Sequence, residues 1–178
     1  MAIHGWTHPR RAFEAARLSR RRARFVAGST GVPVVQLGLR GDLDPDAHLR
    51  AGRQLAPLRD EGVLILGSGS SYHNLRRFDA SAAAPSREFD DWLQETLVDL
   101  RPAQRRQRLL EWERAPAARV AHPREEHLLP LMVAVGAASD ETGHNTYSQR
   151  DFAGSLAMSG YQFGGNEEGA ATISQTAR

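Results

Sequence analysis

Two stretches of this chain concentrate residue types that can do chemistry. The first is Gly62-Val-Leu-Ile-Leu-Gly-Ser-Gly-Ser-Ser-Tyr-His73-Asn74-Leu75. An apolar run that reads as a buried strand ends in a glycine- and serine-rich turn, and a histidine follows at once. In open α/β sheets, ligands bind beyond the carboxyl ends of strands, and glycines let the backbone turn sharply and come close to a ligand. His73 is therefore a candidate acid/base imidazole, with a loop histidine packed on the sheet as the alternative. A Walker A loop is excluded because no Gly-Lys-Ser/Thr follows, and the third glycine of a dinucleotide turn is missing.

The second stretch is His122-Pro-Arg-Glu125-Glu126-His127-Leu-Leu-Pro130-Leu-Met-Val-Ala-Val-Gly136-Ala-Ala. Histidine with carboxylate suits a first-row metal, and two imidazoles with one carboxylate on one face leave coordination positions open. The plainer alternative is a helix start, in which Glu125 and Glu126 favour the N-terminal dipole and His127 borders the core. The spacing is not His-Glu-x-x-His, so a zinc protease is not indicated. His4-Gly5-Trp6-Thr7-His8 is too short and too terminal to interpret alone. His48 and His144 lie among polar neighbours and read as solvated. The run from Arg101 to Arg108 reads as the wet face of a helix, an acidic-ligand site being the lesser reading.

The elements that must position these residues follow an αβ rhythm. Val32 to Leu39 is β-branched and apolar, with Pro33 at the start of a strand. Asp44 is an N-cap with Pro45 at the first helical position, and Gly62 stops the helix. Val63 to Leu66 suits a buried parallel strand. Ser86 caps a helix running through Leu100, with Phe89, Trp92, Leu93 and Leu97 on one face. Pro102 restarts a helix to Glu113, and another runs from about Arg124 to Ala137. A glycine-rich tail follows, with Leu156 to Phe163 as a last strand. Strand, helix, strand and further helices make an α/β layer arrangement.

Composition sets the limits. The chain has 178 residues, enough for one domain with a real core. It has no cysteine, which excludes disulfides, thiolate nucleophiles and iron–sulfur clusters together. No apolar run approaches a membrane span and no leader follows Met1, so a cytoplasmic protein is expected. All 23 basic side chains are Arg. Residues 1–30 carry +6, and the rest carry −4. Nucleic-acid binding would therefore rest on the first 30 residues, where Ala12 to Phe25 could form a basic helix, and it is not expected.

Taken in order, Pro33-Val-Val-Gln-Leu37, Gly62 to Arg76, Phe89-Asp-Asp-Trp92, His122-Pro to Pro130-Leu131 and Tyr161-Gln-Phe163-Gly carry a resemblance. Together they resemble the carboxy-terminal part of the class III extradiol ring-cleavage dioxygenases, most of all the DOPA 4,5-dioxygenase-like branch, which is related to the protocatechuate 4,5-dioxygenase catalytic subunit. The resemblance implies an α/β fold with a mixed sheet flanked by helices, incomplete relative to the family's full domain. It implies a mononuclear non-haem Fe(II), or Zn(II) in some relatives, with O2 as co-substrate and a small aromatic diol as substrate. By motif position, His73 matches the family's active-site acid/base histidine and His127 matches a metal ligand. His122 falls in the family's His-Pro step, with a substrate-pocket or ligand-supporting role, and His4 in a fragment of its His-Gly-x-Trp step.

The family's other two metal histidines lie in amino-terminal motifs that this chain lacks. The resemblance thus divides the chain into an Arg-rich, non-matching segment (1–31), the carboxy-terminal portion of a dioxygenase domain (32–164) and a flexible tail (165–178). A truncated form, inactive by itself, is the expectation, with a non-catalytic binding fragment as the alternative. A second copy of the chain, or a chain supplying the missing half, would be the macromolecular partner.

Overall fold

The computed structural model describes residues 23–27, 33–138 and 140–165. Strand β1 (Ala23–Ala27) pairs antiparallel with β2 (Pro33–Leu37), Ala27 lying opposite Pro33. Proline at the first position of a strand removes no ladder bond that matters. Helix α1 (Pro45–Leu55) begins as its sequence dictates: the Asp44 carboxylate accepts from the N–H groups of Asp46 and Ala47 at 3.1 and 3.3 Å. The short α2 (Pro57–Asp60) follows, and Gly62, at φ 79°, ends the helical path.

A 3-10 turn (Ala80–Ala82), capped by the Asp79 carboxylate on Ser81 N, leads into α3 (Ala83–Gln94), which runs on as a π-helical turn over Glu95–Asp99. Next come α4 (Pro102–Leu110), a 3-10 turn (Trp112–Arg114), α5 (Ala118–Ala121), a 3-10 turn (Glu125–His127) and α6 (Leu129–Ala138). Strands β3 (Gly143–Phe152) and β4 (Leu156–Phe163) close the chain as an antiparallel pair with two register shifts. The fold is α/β. Every strand pairing among the described residues is antiparallel.

The core gathers Phe89, Trp92, Leu93 and Leu97 of α3 and its extension with Leu109, Trp112, Leu128, Leu129, Met132 and Leu156. Removing such side chains from water is the main stabilising term. Helices α1 and α6 cross closely enough that a Cβ on Gly52 or Gly136 would strike the other helix's backbone. No helix among the described residues is long and apolar enough to cross a membrane.

Several elements differ from what the sequence suggests. Residues 63–66 do not form a buried strand: no strand pairs with them among the described residues, and Leu64 and Leu66 are 83% and 79% exposed. Four apolar residues in a row make a strand only where another edge takes up their backbone groups. Ser86 is not a cap; it sits inside α3, where its hydroxyl donates to Ala83 O and accepts from Ala157 N of β4. The helix expected over 124–137 is split, with its first residues in a 3-10 turn. Strand β3 lies where only a glycine-rich tail was expected. Of the basic helix expected over 12–25, Ala23 to Phe25 belong to β1 and the remainder lies outside the described residues. The tail from 166 onward lies outside them too.

Candidate active site

The loop that carries His73 is held from three sides. Gly69 lies so close to the turn before α6 that a Cβ there would collide with His127 O. Only glycine permits that approach, and it lets Ser70 N donate to His127 O at 3.0 Å. His73 N donates to Ala121 O at 2.9 Å, and the Asn74 side-chain amide donates to Val120 O at 2.8 Å. From the third side, Ser159 N of β4 donates to the Ser71 hydroxyl at 3.0 Å. Within the loop, the Ser70 hydroxyl donates to Tyr72 O at 2.6 Å, and the buried Tyr72 hydroxyl donates to Arg77 O at 2.9 Å.

These bonds bring His73 and His127 face to face. Their ring centroids are 3.4 Å apart and their planes lie 21° from parallel, both side chains being half-buried. Burial lowers the His73 pKa below the usual imidazole value, and the neighbouring His127 adds to the effect, while Glu126 opposes it. His73 is therefore neutral at neutral pH and able to accept a proton.

His122 lies behind this pair, fully buried. Its Nε2–H donates to Ser71 O at 3.1 Å. Its ring meets Phe89 edge-on at 5.2 Å and Trp112 at 6.2 Å. Burial pushes its pKa down to about 4, so it is neutral, and its Nδ1 lone pair has no hydrogen-bond partner among the described residues.

Three of the four site residues read from the sequence thus meet in one place, while His4 lies outside the described residues. His73 follows a loop rather than the end of a strand, since no described strand pairs with residues 63–66. Two other histidines fall differently. His48, expected to be solvated, is buried: it accepts from Arg40 N at 3.2 Å through Nε2, and its Nδ1 lies 2.7 Å from Asp44 O. His144 is half-buried on β3. The run from Arg101 to Arg108 is not wholly wet either, because Arg105 is buried and donates to Glu141 O at 2.7 Å.

Sequence reasoning assigned no role to Asn74, Ser71 or Ser159, whose polar atoms fasten the His73 loop. A buried Asn directly after the histidine was the available signal. Among the described residues, no group of three or more His, Asp or Glu side chains could hold a metal ion. A groove of about 540 Å³ lined by Trp92, Gln107, Arg108 and Glu111 among others contains none of these histidines. Its charges are already spent: Arg108 grips Glu95 through two bonds of 2.7 Å, and Arg114 pairs with Glu111.

Comparison with known proteins covers this same region. The family described as the catalytic LigB subunit of aromatic ring-opening dioxygenase matches residues 24–163. The chain is 37% identical over 140 residues to a 4,5-DOPA dioxygenase extradiol of Beta vulgaris, covering 74% of this chain and 49% of that protein. It is 34% identical over 137 residues to the protein of the same name in Portulaca grandiflora, again covering 74% and 49%. Among solved structures, it is similar to an uncharacterized protein of Escherichia coli K12, with a TM-score of 0.68 and 25% identity, covering 92% of this chain and 76% of that one. The chain spans about half the length of the curated relatives it matches.

Proposed function

The chain belongs to the family of the catalytic LigB subunit of aromatic ring-opening dioxygenase, and from that premise we propose that it serves the ring-opening dioxygenation of a catechol-type aromatic. The observation that carries the proposal is the stack of His73 on His127, at 3.4 Å, where two motifs of the matched span meet. Two relatives are named as 4,5-DOPA dioxygenases, which supports a small aromatic diol as the substrate class.

In this reading His73 is the acid/base. Its neutral imidazole accepts the proton that a catechol hydroxyl gives up and returns it later in the reaction, and half-burial keeps it unprotonated at neutral pH. His127 is a metal ligand, for Fe(II) first and Zn(II) second, with O2 as co-substrate. The described residues do not by themselves fit such a metal, because no three of their His, Asp or Glu side chains are grouped so as to hold one, His122 lying buried behind the stacked pair. The family's usual donor set needs more.

The test is a catechol assay in air after anaerobic Fe(II) loading of a complete version, in which the family's amino-terminal half precedes this chain. Formation of a yellow ring-opened product, lost in His73→Ala and in His127→Ala, is the expected result. An unchanged rate in both variants would overturn it. A second reading, a non-catalytic fragment that keeps the fold, is favoured by the lack of a metal-holding group among the described residues. Tight, stoichiometric binding of Fe(II) or Zn(II) by the chain removes that reading, whereas a chain that neither binds metal nor opens the ring selects it.

A further inference from the structure

Two imidazoles at a half-exposed surface do not stack at 3.4 Å of their own accord; water solvates each of them as well or better, and any charge they share repels. Their geometry must be imposed by the backbones that carry them. Four hydrogen bonds join residues 70–74 to residues 120–127. Two run between backbones, from Ser70 N to His127 O and from His73 N to Ala121 O. The other two come from side chains and run in opposite directions: Asn74 Nδ2 reaches across to Val120 O at 2.8 Å, and His122 Nε2 reaches back to Ser71 O at 3.1 Å.

Both side chains are held in place. The Asn74 carbonyl accepts from Arg76 N at 3.2 Å, so its amide is fixed at both ends, and the residue is 8% exposed. His122 is fully buried, with Phe89 and Trp112 against its ring. Each side chain satisfies a backbone carbonyl of the facing segment, Val120 O and Ser71 O. Each also flanks one of the stacked histidines, Asn74 immediately after His73 and His122 at the head of the segment that ends in His127.

We infer that Asn74 and His122 are a reciprocal clasp of positioning residues that sets His73 against His127. The inference rests on the reading of the two histidines as the working site, but its test reads ring geometry and not turnover. Breaking either arm lets the His73 loop move relative to the turn before α6 while the core contacts of Tyr72, Phe89 and Trp112 keep the chain folded. Such positioning is where a small displacement becomes a large loss of rate.

The experiment uses the full chain with labelled histidines, following the nuclear Overhauser contacts between the rings of His73 and His127 beside a thermal melt. The wild type shows those contacts. Asn74→Asp, which exchanges only the donating NH2 for an oxygen, loses them while still folding. His122→Phe, which keeps the aromatic wedge but cannot donate, loses them as well, and His122→Gln, which can still donate to Ser71 O, restores them. Ring contacts as strong as wild type in folded Asn74→Asp and His122→Phe would overturn the inference. Should His122→Phe fail to fold, Asn74→Asp decides alone. If the contacts vanish in these variants but the complete version does not open a catechol, the clasp stands and the proposed reaction falls.

Discussion

Residues 63–66 and residues 70–74 are separated by three positions, and the fold treats them in opposite ways. The first is the most apolar run in its neighbourhood, yet Leu64 and Leu66 face solvent and no described strand pairs with it, Val63 N donating back to Leu58 O. The second is polar and glycine-flanked, yet it is bonded to α5, to the turn before α6 and to β4. Hydrophobicity alone therefore does not order this part of the chain. What orders it is a set of directed bonds to backbone carbonyls, and those bonds converge on the two stacked histidines.

The largest effect that would sharpen this contrast lies beneath the ordered loop. Phe89 is fully buried and packs on both Trp92 and His122. Phe89→Ala should cost about 3–5 kcal/mol in a denaturant titration, and a cost below 1 kcal/mol, by the same series, would mean that the core does not support the site.

A pH effect comes next. The folded pKa of His122 is about 4 against 6.5 unfolded, so between those values the unfolded chain binds the extra proton. Stability from this group is fully present above pH 6.5 and is lost as pH falls toward 4, by about 3 kcal/mol in all. Thermal melts across that window should show the slope in the wild type and a flattened one in His122→Phe. Equal slopes from pH 6.5 to 4 in the wild type and in His122→Phe would show that the ring is not buried as described.

Gly69→Val follows. Its side chain would meet His127 O, and overpacking of this kind costs about 1–3 kcal/mol. Melting temperature checks the cost, and a neutral outcome would show that the loop has room to shift. The smallest effect belongs to the exposed run: Leu64→Gln and Leu66→Gln should change stability by less than about 0.5 kcal/mol. Either variant costing about 2 kcal/mol, the scale of a buried leucine, would erase the comparison, since the run would then be covered.

What the sequence disclosed and what it hid divide along the same line. Local signals were legible. Asp44 before Pro45 started α1, and the ordered motifs around His73 and His127 pointed to residues that meet in space. Long-range satisfaction was not legible. His48 and Arg105 look like surface residues until their partners, Arg40 N with Asp44 O and Glu141 O, are in place. Strand β3 is polar and lacks a clean alternation, so only its pairing with β4 reveals it. Ser86 has the type of a cap, but Asp79 and the turn it caps come first and absorb the helix start. Residues 63–66 have the composition of a buried strand and none of the neighbours.

The central claim is that His73, set against His127, does the proton work of ring opening. The most direct measurement is oxygen uptake, with a catechol present, by an Fe(II)-loaded complete version that joins the family's amino-terminal half to this chain, wild type against His73→Ala. The account predicts uptake in step with the yellow ring-opened product in the wild type and neither in the variant. Uptake and product formation continuing at the wild-type rate in His73→Ala would contradict it.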